Sequence, residues 1–183
     1  GNYFVTVNGG YLYVDAGGDG IDTNGSFAMT DGVVLVNGPT NNGNGPLDYM
    51  GTFTLSGGFL VAVGSSGMAQ APSTDSTQYS FIQNLSSVQA AGTMVHIETT
   101  SGENILTFLP AKPYQSVLVS SPDLQNGESY VMYLGGRSTG TAVDGLITDG
   151  EYAPGTQVAS FTISSIVSGE STGGFPGGGR PGH

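Results

Sequence analysis

Cysteine is absent from the chain, so neither disulfides nor thiolate metal sites contribute to it. Cations are scarce as well. Lys and Arg together number 3 among 183 residues, against 14 Asp and Glu, for a formal net charge of -11. A surface so poor in positive charge repels nucleic acid, because phosphate binding needs a basic face. It repels an acidic polysaccharide too, unless a divalent cation bridges the two. No apolar run approaches the roughly 20 residues of a membrane-spanning helix. No long stretch keeps a 3.6-residue apolar period either, because Gly and β-branched residues interrupt every candidate. No signal peptide begins at Gly1, and the chain reads as a mature or trimmed product.

What is present is glycine, 32 residues of it, with much Ser, Thr and Asn between β-branched clusters. That mixture builds many short strands and many tight turns, so the expected class is all-β. Charged residues are only 9 % of the chain, too few for a disordered acidic tail, and the hydrophobic 37 % is enough for a narrow core. Very little Lys beside abundant Gly, Thr and Asn suits an exported protein, and the expected location is extracellular or at the cell surface.

The first third of the chain repeats. Gly10-Tyr11-Leu12-Tyr13-Val14, Gly32-Val33-Val34-Leu35-Val36 and Gly58-Phe59-Leu60-Val61-Ala62 are three copies of one strand. A second short strand recurs between them, Ser26–Thr30 and then Thr52–Ser56. The step from Phe27 to Phe53 equals the steps from Asp22 to Asp48, from Gly25 to Gly51 and from Gly32 to Gly58. The three copies begin 22 and then 26 residues apart, and a period in the low twenties with two or three short strands per repeat is what one coil of a parallel β-helix needs. Equivalent strands then stack at about 4.8 Å, and glycines allow the sharp corners. A β-sandwich, the alternative, would show hairpin turns between neighbours. The second half is less regular. Thr93–Glu98 and Asn104–Phe108 flank Ser101-Gly102-Glu103 and read as a hairpin. Further strands are expected at Ser116–Ser120, Ser129–Leu134 and Ser160–Val167. The expected division is regular coils over 1–72, irregular coils or a β cap over 73–168, and a flexible Gly/Pro-rich tail over 169–183.

The strongest chemical signal is the segment from Asp15 to Gly25. Asp15, Asp19, Asp22 and Asn24 cluster there among glycines, and Asp48 shares the register of Asp22 one repeat on. Ca²⁺ takes six to eight oxygen ligands, and glycines let loop carbonyls join the carboxylates. These five residues are the expected metal ligands and Ca²⁺ the expected cofactor. The EF-hand pattern is not met, because the twelfth position from Asp22 is Val33. The alternative is a turn-rich loop held by Asx-turns, without metal. His96 sits in an apolar strand and reads as a structural histidine. A lyase acting on acidic sugars would need a basic group beside the metal, and neither Lys112 nor Arg137 lies near the Asp cluster in sequence. An enzyme is therefore not expected, a polysaccharide lyase being the remaining catalytic alternative. Tyr3, Tyr11, Tyr13, Tyr49 and Tyr79 are candidates for stacking on sugar faces, with Tyr11, Tyr13 and Tyr49 foremost; core or coil-edge packing is the other reading.

Four segments carry a resemblance: Gly18–Ser26, Asn42–Tyr49, Gly64–Pro72 and Tyr114–Pro122. Together they resemble the carboxy-terminal part of a family of secreted bacterial carbohydrate-binding-domain proteins, which are polysaccharide-binding parallel β-helices with bound calcium. The likeness runs from about Tyr11 to Val167. It implies a right-handed β-helix, calcium in the Asp-rich turns, and affinity for plant-type or acidic polysaccharides without catalysis. At the matching positions it points to Asp19, Asp22 and Asn24. The expected partner is a polysaccharide, bound by an adhesion module. The runner-up is a filament subunit stacking head to tail, motivated by the expected strand Asn2–Asn8 at an end read as uncapped. Neither nucleic acid nor a membrane span is expected.

Overall fold

A computed structural model describes residues 3–170, so most of the expected tail lies outside the described residues. These hold seventeen strands and no helix, which makes the chain all-β. In chain order the strands are β1 (Phe4–Asp15), β2 (Ile21–Thr23), β3 (Ser26–Asn37), β4 (Leu47–Tyr49), β5 (Phe53–Leu55) and β6 (Phe59–Gly64). Then follow β7 (Ser80–Gln89), β8 (Val95–Thr99), β9 (Asn104–Phe108), β10 (Tyr114–Ser120) and β11 (Ser129–Leu134). The last six are β12 (Arg137–Ser138), β13 (Ala142–Val143), β14 (Leu146–Ile147), β15 (Tyr152–Ala153), β16 (Thr156–Thr162) and β17 (Val167–Glu170).

The sequence repeats pair in parallel. Tyr11 lies beside Val33 and Val33 beside Phe59, on β1, β3 and β6. Phe27 lies beside Phe53 on β3 and β5, and Asp22 beside Asp48 on β2 and β4. The corners need glycine. Gly32 has φ +94°, and a Cβ there would stand 2.7 Å from the carbonyl carbon of Gly9 in the preceding repeat. Beyond β6 the stacking changes. β10 pairs antiparallel with both β6 and β7, and the main sheet runs β1-β3-β6-β10-β7-β17. A second sheet runs β13-β14-β9-β8-β11-β16, with every pairing antiparallel. Parallel pairing of successive repeats thus covers only the first third, β17 beside β7 being a further parallel pair, and no sheet closes on itself. The expected hairpin joins β8 to β9, with Val95 beside Phe108.

The middle of the main sheet, the second half of β3 with β6 and β10, is buried on both faces, which explains its continuous apolar runs. Val34, Val36, Leu60 and Ala62 face one core, shared with Phe27, Met29, Leu47, Phe53 and Leu55 from the coil walls. Their neighbours Leu35, Val61 and Val63 face a second core, shared with Val95, Ile97, Leu106, Phe108, Tyr130 and Met132 of the antiparallel sheet. Phe27 and Phe53 pack edge to face in the coil interior, centroids 4.3 Å apart.

The two ends of the parallel stack differ. Past β5, residues 73–78 close the edge: Ser73 and Thr77 N–H donate to the Phe53 and Leu55 carbonyls, and the Ser73 and Ser76 hydroxyls accept from Phe53 and Leu55 N–H. At β1 no strand lies outside among the described residues. There the coil-facing Leu12 is 40 % exposed and Val5 38 %, while Val34 and Leu60, in line with Leu12, are 0 % exposed.

Candidate functional site

The parallel register sorts the acidic residues. In β4, Leu47 points into the coil core, so Asp48 between Leu47 and Tyr49 points outward. Asp22 is its partner on β2 and is exposed, so the two residues are neighbours in register on adjacent strands, whose backbones lie about 4.8 Å apart. Asn24 is exposed in the turn that leads to β3. The other two acids are engaged elsewhere. Asp15, at the end of β1, forms an ion pair with Lys112, whose ammonium also donates to the Ala16 carbonyl at 2.6 Å. Asp19 Oδ1 accepts from Gly45 N–H at 2.8 Å, tying the first loop to the second.

Among the described residues, no three of His, Cys, Asp and Glu gather as a metal-binding group. Of the five expected ligands, Asp22 and Asp48 are brought together by the strand register, while Asp15 and Asp19 bond to Lys112 and Gly45. The donor chemistry still suits a hard cation, because Asp22, Asp48 and Asn24 offer carboxylate oxygens and an amide carbonyl. Any further ligands for Ca²⁺ have to come from backbone carbonyls and water.

The tyrosines scatter. Tyr11 and Tyr13 project from the same face of β1. Tyr11 is 50 % exposed, its hydroxyl 3.5 Å from the Val143 carbonyl, while Tyr13 packs partly against the second core. Burial, and then Asp144, hold the Tyr11 hydroxyl above the usual tyrosine range. Tyr49 is occupied by the protein itself. Its hydroxyl donates to the Ala71 carbonyl at 2.6 Å and its ring meets Phe53 edge-on. Tyr3 is exposed just before β1, and Tyr79 is half-buried just before β7.

His96 on β8 is 2 % exposed. Its Nδ1 lies 2.8 Å from Thr107 Oγ1 across the hairpin, its Nε2 lies 3.1 Å from Glu98 Oε2, and its ring stacks on Tyr152 at 3.8 Å. Burial lowers the imidazole pKa and Glu98 opposes that shift. Hydroxyl, imidazole and carboxylate stand in the order of a nucleophilic triad, but Thr107 is 4 % exposed and Tyr152 covers the ring. The arrangement locks the hairpin to the 137–155 excursion. Thr107 follows from the hairpin register, since it pairs with His96; Tyr152 had no local signal. Lys112, distant from the acidic loop in sequence, meets it in space through Asp15. Lys112 is ion-paired, and Arg137 lies exposed in the short β12–β15 ladder. No helix of the described residues is long and apolar enough to cross a membrane.

Comparison with protein-family models, with curated proteins and with solved structures gave no match.

Proposed function

We propose that the chain is a non-catalytic extracellular or cell-surface module that binds polysaccharide, built on coils of a right-handed parallel β-helix and stabilised by calcium. The observation that carries this reading is the Asp22–Asp48 ladder on the outer face of the stacked coils. Two carboxylates in register on adjacent strands repel each other, and a bound divalent cation relieves that repulsion. Asp22, Asp48 and the Asn24 carbonyl are the residues that would hold it. An ion there would tie successive repeats together, which is how calcium would stabilise the module. Lys112 is held by Asp15 and Arg137 sits in the β12–β15 ladder, which favours a binding role over a lyase. The test is retention of the protein on immobilised polysaccharides in millimolar calcium and again in excess chelator. Binding that chelator weakens supports the reading; no binding under either condition refutes it.

A second reading is favoured by the open edge of β1. Phe4 to Val14 carries no charged residue, and Phe4, Val5, Tyr11 and Leu12 are exposed along it. Natural edge strands usually carry charge, proline or cover, so this edge suits self-association. Self-association of this chain would place a second copy on that edge, as head-to-tail stacking into a filament does. Sedimentation over a hundredfold range of concentration tests it, and a monomer throughout refutes it.

A further inference from the structure

We propose that the cleft between residues 77–79 and the turn 121–126 is the subsite that takes sugar rings, and that its ligand is a neutral glycan. This rests on the polysaccharide-binding reading and narrows it. The cleft opens at one end of the main sheet, where Ser56, the approach to β7 and the turn after β10 meet. Its volume is about 490 Å³, within the range of small-molecule sites.

Both walls are held in place before a ligand arrives. On one side, Thr77 and Gln78 N–H both donate to the Leu55 carbonyl, at 2.8 and 3.1 Å. On the other, Asp123 N–H donates to the Ser121 hydroxyl, and Leu124 N–H donates to the Ser121 carbonyl. Gln125 N–H donates to the hydroxyl of Tyr130, a fully buried side chain, at 2.8 Å. Rigid walls lower the ordering cost of binding.

Gln78 gives the cleft a fixed acceptor. The residue is 8 % exposed, and its Nε2 donates to the Gly58 carbonyl at 2.8 Å and to Ser120 Oγ at 2.9 Å. Both amide protons are thereby engaged, which sets the amide's orientation and leaves Oε1 to accept from a ligand. Around it stand the hydroxyls of Ser56 and Thr77 and the exposed amides of Gln125 and Asn126. Hydroxyls and amides both donate and accept, as sugar hydroxyls do. Tyr79, half-buried at the same cleft, adds an aromatic surface for the apolar face of a pyranose.

Charge decides the class of glycan. No Lys, Arg or His lines the cleft. Exposed Asp75 and Asp123 lie in the two flanking segments. A uronate or sulfated sugar would enter against both, while a neutral ring meets no charge penalty.

The test is calorimetric titration with neutral gluco-, xylo- and manno-oligosaccharides and with an oligogalacturonate, in calcium. The wild type is compared with Gln125→Ala/Asn126→Ala and with Thr77→Arg, all changes at exposed positions, with circular dichroism to check the fold. Neutral binding that weakens about tenfold or more in both variants supports the proposal. Neutral binding unchanged in both overturns the cleft and leaves the polysaccharide reading standing. Binding of the oligogalacturonate alone overturns the neutral class. No binding of any glycan, on polymers as on oligomers, overturns that reading and the subsite with it.

Discussion

Leu12, Val34 and Leu60 form one ladder through β1, β3 and β6 and face the same coil interior. Their burial differs: Leu12 is 40 % exposed, while Val34 and Leu60 are 0 % exposed. Truncating Leu60 to Ala removes a fully buried side chain and leaves a closed cavity, which costs about 3 kcal/mol. Truncating Leu12 removes a side chain already partly in water, at a site open to solvent that keeps no cavity. Scaling the burial of a leucine by its exposure leaves about 1 kcal/mol. Val34→Ala should cost about 2 kcal/mol, because valine carries one methylene fewer than leucine. Urea unfolding followed by circular dichroism reads these values as midpoint shifts, provided the slopes agree among variants. The measurement is made at two protein concentrations tenfold apart. If Leu12→Ala costs as much as Leu60→Ala at the lower concentration, β1 is covered and the account of an open coil end is wrong. If the two costs converge only at the higher concentration, a second copy covers β1.

Three further outcomes follow from the same geometry. Replacing both Asp22 and Asp48 with Asn should abolish calcium's effect on the melting temperature. In the wild type a hundredfold excess over Kd stabilises by about 2.7 kcal/mol, and an equal calcium response in both proteins would remove the ladder from the proposal. His96 is harder to protonate folded than unfolded, so the unfolded chain binds more protons as pH falls. Its contribution is intact above about pH 7 and is lost as pH drops through 6.5 towards the lower folded value. His96→Gln should flatten that part of the stability profile, and parallel profiles would refute the assignment. Gly10→Ala, with φ +81° and nothing near its Cβ, should lose about 1–2 kcal/mol from backbone strain alone. Gly32→Ala adds a clash with Gly9 and Gly10 and should lose more, so equal melting temperatures would contradict the corner packing.

The repeats were the legible part. The recurring strands Gly10–Val14, Gly32–Val36 and Gly58–Ala62 appear in the structure as the parallel registers of β1, β3 and β6. The steps from Phe27 to Phe53 and from Asp22 to Asp48 appear as the pairings of β3 with β5 and of β2 with β4. A residue kept at a fixed spacing is kept because it meets its own equivalent, and that needs no knowledge of distant chain. The acidic loop was legible as a composition but not as a geometry. Asp15 turns to Lys112 and Asp19 to Gly45, partners that lie outside the loop altogether. The Gln78 cleft gave no sequence signal at all, since its walls come from three separate turns.

The chain's own composition and spacing determined that it is all-β, turn-rich, acidic and parallel in its first third, because strand period, corner glycines and charge are local or repeating properties. Tertiary structure alone decided where the parallel stack stops. The runs Val33–Val36 and Phe59–Val63 say only that a strand is buried on both faces; they do not say whether a parallel or an antiparallel neighbour comes next. Here β10 returns antiparallel beside β6, and a second sheet built from residues 95–162 covers the outer face. That choice depends on apolar area contributed by distant strands, which no local pattern records.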